Sequence, residues 1–175
     1  MILKGFKRNA LKKNLETLLR KRSGAQGEYI TELKNLAVLI DASKSTDMSS
    51  VVKLANDLGV PKGSLKIMGY KEDQKDIEED VDAGYYNDKC FGMNGVIKSS
   101  NLKEFVNKEY DVLINFYSED KLELNYIATA SKAKFKVGLA EIDNRINDLI
   151  IGKAINDVSL FVSELKKYLK ILQFI

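Results

Sequence analysis

The sequence predicts an α/β fold, a Rossmann-like three-layer sandwich with a mostly parallel sheet, carrying a basic amphipathic helix at its N-terminus. Two observations predict it. A strand-helix-strand pattern occurs twice, over residues 36–70 and 110–139, and such units build parallel sheets because the helix carries the chain back to start a neighbouring strand. The strand-like segments are continuous apolar runs, LAVLI at 36–40 and VLI at 112–114, as expected of strands buried on both faces.

The elements follow in chain order. Residues 2–22 read as a helix, with Leu3, Phe6, Ala10, Leu11, Leu15, Leu18 and Leu19 on one broad stripe and basic residues over the rest. Ser23, Gly24 and Gly27 mark a flexible joint. The chain then divides into an arm and joint, 1–27, and a Rossmann-like domain, 28–175. Residues 35–41 are the first central strand. Asp47 or Ser49 caps the next helix, which carries Val51, Leu54, Ala55 and Leu58 and is closed by Gly59 and Pro61. Residues 64–70 are the second strand.

Residues 71–89 interrupt the pattern with eight acids and read as a solvated insertion, long for a plain loop. Residues 90–97 are expected to form a third, glycine-interrupted strand, and 101–109 a short helix. Residues 111–116 are the next strand. Ser118 is expected to cap the following helix, with Glu119 and Asp120 in its first turn. Lys132, Lys134 and Lys136 mark the way into the strand at 135–139. A short strand at 148–152 and an amphipathic helix at 158–172 complete the chain, the helix facing inward through Leu160, Phe161, Leu165, Tyr168, Leu169 and Leu172.

Composition narrows the chemistry. The 175 residues are 45% hydrophobic, enough to bury a core. Histidine is absent, so histidine-based nucleophilic catalysis and the usual zinc sites are excluded. The single cysteine, Cys90, rules out an internal disulfide and fits a reducing cytoplasm. Beside Phe91, it reads as a small buried residue. The sequence contains no apolar run of membrane-spanning or secretory length. Net charge is +3, but residues 1–24 carry +7 through Lys4, Lys7, Arg8, Lys12, Lys13, Arg20, Lys21 and Arg22 against Glu16, which leaves the body at −4.

In a doubly wound sheet the ligand site lies outside the carboxyl ends of the strands, where strand order reverses. The expected rim is therefore 41–46, 70–73, 98–100, 116–120 and 139–144, with Asp41, Ser43, Ser45, Ser118, Glu119 and Asp120 as candidate ligand residues. No glycine-rich phosphate loop follows any strand.

Three resemblances attach to these residues. Asp41-Ala42-Ser43-Lys44-Ser45 after a buried strand resembles the Asp-x-Ser-x-Ser signature of von Willebrand factor A domains, which implies Mg²⁺ on Asp41, Ser43 and Ser45. The threonine and aspartate that this family adds from later loops are not assignable. The plain alternative is a polar strand exit whose hydroxyls cap the next helix. The 111–139 unit resembles the C-terminal domain of GT-B glycosyltransferases of the heptosyltransferase type, although the glycine and histidine of that loop are missing. The overall layout, with the segments 119–125, 131–138 and 145–151, resembles an uncharacterised Bacteroidota family known as a domain of unknown function. That resemblance implies a fold and a bacterial cytoplasmic setting.

Together these features point to a non-catalytic cytoplasmic binding or interaction module, with a protein partner or self-association. One alternative is a small-molecule or nucleotide-type ligand at the strand ends, with transferase-like chemistry as its extension. Another is association of the basic arm with RNA or an anionic membrane surface.

Overall fold

The computed structural model describes residues 2–23, 30–44, 48–72, 83–152 and 158–175. Its strands are β1 (Leu36–Asp41), β2 (Leu65–Tyr70), β3 (Ala83–Tyr86), β4 (Val112–Phe116), β5 (Phe135–Leu139) and β6 (Leu149–Ile151). The helices are α1 (Ile2–Arg22), α2 (Met48–Asp57), α3 (Ser100–Asn107), α4 (Leu122–Ala130) and α5 (Val158–Ile171). The six strands pair in parallel in the order β3-β2-β1-β4-β5-β6. The order runs outward from β1 to β3, then restarts at β4 on the other side of β1, so the switch point is the β1–β4 seam.

Both sheet faces are covered, which explains the unbroken apolar runs. Along β1, Leu36, Val38 and Ile40 pack with Val51, Leu54, Phe161 and Leu165 of α2 and α5. Ala37 and Leu39 point the other way, into a core with Leu102 and Phe105 of α3, Leu124 and Ile127 of α4, and Leu11 and Leu19 of α1. Helix α1 therefore contributes to the same core as the sheet. It lies on α4 and the turn at Asn144–Ile146, and α4 is buried from Glu123 through Thr129. A helix inward on one side only would show a stripe; α4 is covered on both.

Several sequence expectations need correction. The third strand is Ala83–Tyr86, inside the segment read as an insertion, and it is only four residues long. Residues 90–97 instead form a tight loop with one antiparallel bridge, Phe91 to Ile97. Gly95 turns that loop at φ +72°, a left-handed conformation glycine adopts without a Cβ clash. Ser118 is not the α4 cap: the helix starts at Leu122, with Lys121 at the N-cap position and no side-chain cap bond. Glu119 and Asp120 precede that first turn and belong to the loop. Lys136 lies in β5 as the expected strand 135–139 has it, but it is buried, 2% exposed. On α5 the inward stripe is Phe161, Val162, Leu165 and Leu169, which turns Leu160 and Tyr168 outward. On α1 the buried line Leu11, Leu15, Leu19 runs at i+4 spacing; Phe6 falls off it, Leu3 lies two steps before its buried part, and both are exposed. The cap at Asp47 lies outside the described residues, and Ser49 is already inside α2.

Candidate functional site

The switch point holds an ion pair between a buried carboxylate and a partly buried lysine. Asp41 ends β1, and Ile40 beside it pairs with Phe116 at the end of β4. Asp41 is 3% exposed. Its Oδ1 accepts from the Ser43 N–H at 3.1 Å, and its Oδ2 lies 2.7 Å from the Lys121 Nζ. Lys121 reaches in from the start of α4 and is also 3.7 Å from Glu119 and 3.9 Å from Glu72. Lys44 closes the outer ring, 2.6 Å from Glu119. Burial opposes the Lys121 charge, but the carboxylates of Asp41, Glu119 and Glu72 more than offset it, and its pKa lies above the ordinary lysine value. Lys121 is thus a fixed cation that neutralises the strand end.

Of the Asp-x-Ser-x-Ser motif, Asp41 and Ser43 both have partners within the chain. Ser43 Oγ accepts from the Glu72 N–H at 3.0 Å and tethers the β1 loop to the exit of β2. Ser45 lies outside the described residues. Among the described residues no group of three or more acidic or thiol side chains is arranged to hold a metal ion.

A cleft opens beside this seam, outside the carboxyl ends of β4 and β5 and roofed by α1. Its volume is about 450 Å³, within the range of small-molecule sites. Arg8, Asn9, Lys12 and Glu16 form the α1 wall, and Asp120, Asn125, Asp143 and Arg145 the opposite wall, with Leu15 and Leu122 between them. Asn125 is fixed by donating to Asp120 and accepting from the Tyr117 hydroxyl at 3.0 Å. Arg145 bridges the walls: its guanidinium is 2.7 Å from Asp143 and 3.1 Å from Glu16. Hydrogen bonds from Arg145 hold Asp143 below the usual carboxylate range, and the same bonds raise Arg145. Arg8 is pinned by the buried Glu123 at 2.7 Å. Lys12 and Asp120 make no salt bridge among the described residues, so they are the charges left to face the cleft.

Of the candidate ligand residues, Asp41, Ser43 and Glu119 meet at the seam and Asp120 faces the cleft, while Ser118 lies on the short loop between. The basic residues of the arm split three ways. Lys4 and Lys7 reach Asp88, and Arg22 pairs with Asp148 at 2.6 Å. Arg8 and Lys12 line the cleft, while Lys13, Arg20 and Lys21 are exposed.

Sequence reasoning missed Lys121, Glu123 and Asn125, whereas Tyr70 stood within the expected rim and donates its hydroxyl to Asp88 at 2.8 Å. Lys121 carried a signal: it follows three polar residues at a strand exit. Glu123 carried none, because its partner Arg8 lies over a hundred positions away. Asn115, fully buried on β4, donates to Asn147 at 2.7 Å. Asn147 fits there because its neighbour Gly138 has no side chain, and a Cβ at Gly138 would overlap the Asn147 amide.

No helix among the described residues is long and apolar enough to cross a membrane. No curated protein and no solved structure matches the chain. The model of a family of unknown function, DUF6913, matches residues 7–172, nearly the whole length and including all of the cleft, and the chain belongs to that family.

Proposed function

We propose that this protein is a non-catalytic binding module that takes a small polar ligand in the cleft between α1 and the carboxyl ends of β4 and β5. The observation that carries this reading is the cleft itself, about 450 Å³ with fixed walls of opposite charge. Arg8 and Arg145 are held by carboxylates, so they shape the site. Lys12 and Asp120 face each other's walls with no ion pair, which suits a ligand with an anionic group at one end and a donor or cation at the other. Leu15 and Leu122 supply the apolar middle.

The non-catalytic part of the reading rests on how the cleft's charges are held. Asp143 is held low and Arg145 high, so neither exchanges a proton near neutrality. Cys90 is buried in the core around Tyr86 and Phe91, away from the cleft lining. The lone cysteine also supports a cytoplasmic setting.

A thermal-shift screen of small zwitterions and anionic metabolites tests the proposal. A binder should raise the Tm of the protein, and Lys12→Ala should abolish that rise with its own unliganded Tm unchanged, since Lys12 is exposed. A rise retained in both Lys12→Ala and Asp120→Asn would place binding elsewhere and defeat the reading.

A further inference from the structure

We propose that the N-terminal end of α1, with the 92–97 loop beside it, is a docking surface for an anionic lipid bilayer. Five apolar side chains gather there in water: Ile2, Leu3, Phe6, Met93 and Val96, between 49% and 78% exposed. The loop sits against α1, where Asn14 donates to the Asn94 carbonyl at 3.0 Å. A Cβ at Gly95 would lie 2.7 Å from the Leu11 backbone nitrogen. Phe6, Ala10 and Asn14 follow at i+4 spacing, and Leu3 precedes Ala10 by seven, so Leu3 and Phe6 extend the line the loop abuts. The helix does not need to fold on arrival, because Leu11, Leu15 and Leu19 already hold it on the body.

Cations surround this tip. Lys4 has 76% of its side chain exposed. Lys13 and Arg20 lie seven and fourteen positions after Phe6, on its side of the helix. Lys98 stands close enough to Lys7 for their charges to oppose one another. Lys13, Arg20 and Lys98 make no salt bridge among the described residues. The one acid of α1, Glu16, is turned into the cleft toward Arg145. Apolar groups at an end, with lysine and arginine along the same face, fit a helix lying in a headgroup layer, the rings and aliphatics inserted and the cations at the phosphates.

The alternatives fit this surface less well. Nucleic acid would satisfy the cations but leave Ile2, Leu3 and Phe6 in water, with a single ring for stacking. A second copy meeting through the same face would bring like charges together.

Co-sedimentation of the full chain with vesicles tests the inference. On vesicles of three parts phosphatidylcholine to one part phosphatidylglycerol at low salt, the protein should bind, and on pure phosphatidylcholine it should not. Phe6→Glu should lower the partition coefficient at least about tenfold, and Lys13→Gln about fivefold. Both side chains are exposed, so Tm and far-ultraviolet circular dichroism should match the parent. No binding to the anionic vesicles, or equal binding to both compositions, would overturn the proposal. So would retention of binding in Phe6→Glu, or a salt-sensitive affinity for duplex RNA in place of vesicles.

Discussion

The Lys121 ammonium lies 2.7 Å from the buried Oδ2 of Asp41, joining the start of α4 to the end of β1 across the switch point. The pair fixes the loop after β4, and that loop carries Asp120 into the cleft wall. Lys121→Met would leave the Asp41 charge buried without its cation and should cost roughly 3 kcal/mol in denaturant unfolding at pH 7. Asp41→Asn in the same chain should recover much of that loss. If each single variant loses less than about 0.5 kcal/mol, the pair is a surface contact in its energetics and does not organise the seam.

Lys136 makes stability depend on pH. Its Nζ is buried and donates to the Thr129 carbonyl near the end of α4 at 3.0 Å. Burial and the nearby Arg22 charge push its pKa down from 10.5 to about 7. A lysine depressed in the folded state is charged more readily in the unfolded chain. Between about pH 7 and 10.5 the unfolded chain therefore binds the extra proton, and stability rises with pH. Below about pH 7 the penalty is fully present. Lys136→Met should flatten the slope between about pH 7 and 9 and should stabilise the protein at pH 7 by roughly 1–4 kcal/mol. Urea titrations across that range give both quantities.

Leu113→Ala and Ile114→Ala should each cost roughly 2–5 kcal/mol. These residues are fully buried on opposite faces of a central strand, Leu113 among α1, α3 and α4 and Ile114 among α2 and α5. A loss under about 1 kcal/mol at either one would mean that its face is loosely covered.

The same measurement on Leu19 decides what α1 is. Leu19 is 1% exposed and packs in the core of the α3–α4 face. Leu19→Ala should cost about 2–5 kcal/mol, and deleting residues 1–23 should expose the α4 surface and promote aggregation. A chain lacking α1 that unfolds at the parent Tm would show the helix to be a detachable arm.

Gly138→Ala should destabilise by at least about 1–3 kcal/mol, because the added methyl overlaps the Asn147 amide beside Asn115. Asn147→Ala should relieve the clash in a double variant, giving a smaller loss than the two singles summed.

The fold was legible because two-sided burial writes itself as apolar runs, and β1 and β4 each fall within one residue of the expected span. β3 was not legible, since a four-residue strand of Ala-Gly-Tyr-Tyr after an acid-rich run carries neither an apolar run nor an alternation. The site was legible as a rim of loops but not as a cleft. Its roof is α1, and the seating of α1 depends on pairs such as Arg8–Glu123 and Arg145–Glu16, formed between segments more than a hundred positions apart. Charge alone made α1 look like a basic arm, whereas the i+4 line of three leucines carries its contact with the core. Lys136 read as one of three lysines on the way into a strand, because local patterning cannot show that a long aliphatic stem runs back from a strand to a helix carbonyl.

Native mass spectrometry of the freshly purified full chain, set beside Asn9→Trp, reads the occupancy of the cleft. Asn9 is exposed on the cleft wall, and a tryptophan there fills the mouth without entering the core. The parent protein should carry a small non-covalent adduct or take one up from a metabolite extract, and an Asn9→Trp protein of the same charge-state distribution should carry none. An adduct of equal occupancy in both, or no uptake by the parent from any extract, would contradict the proposed function.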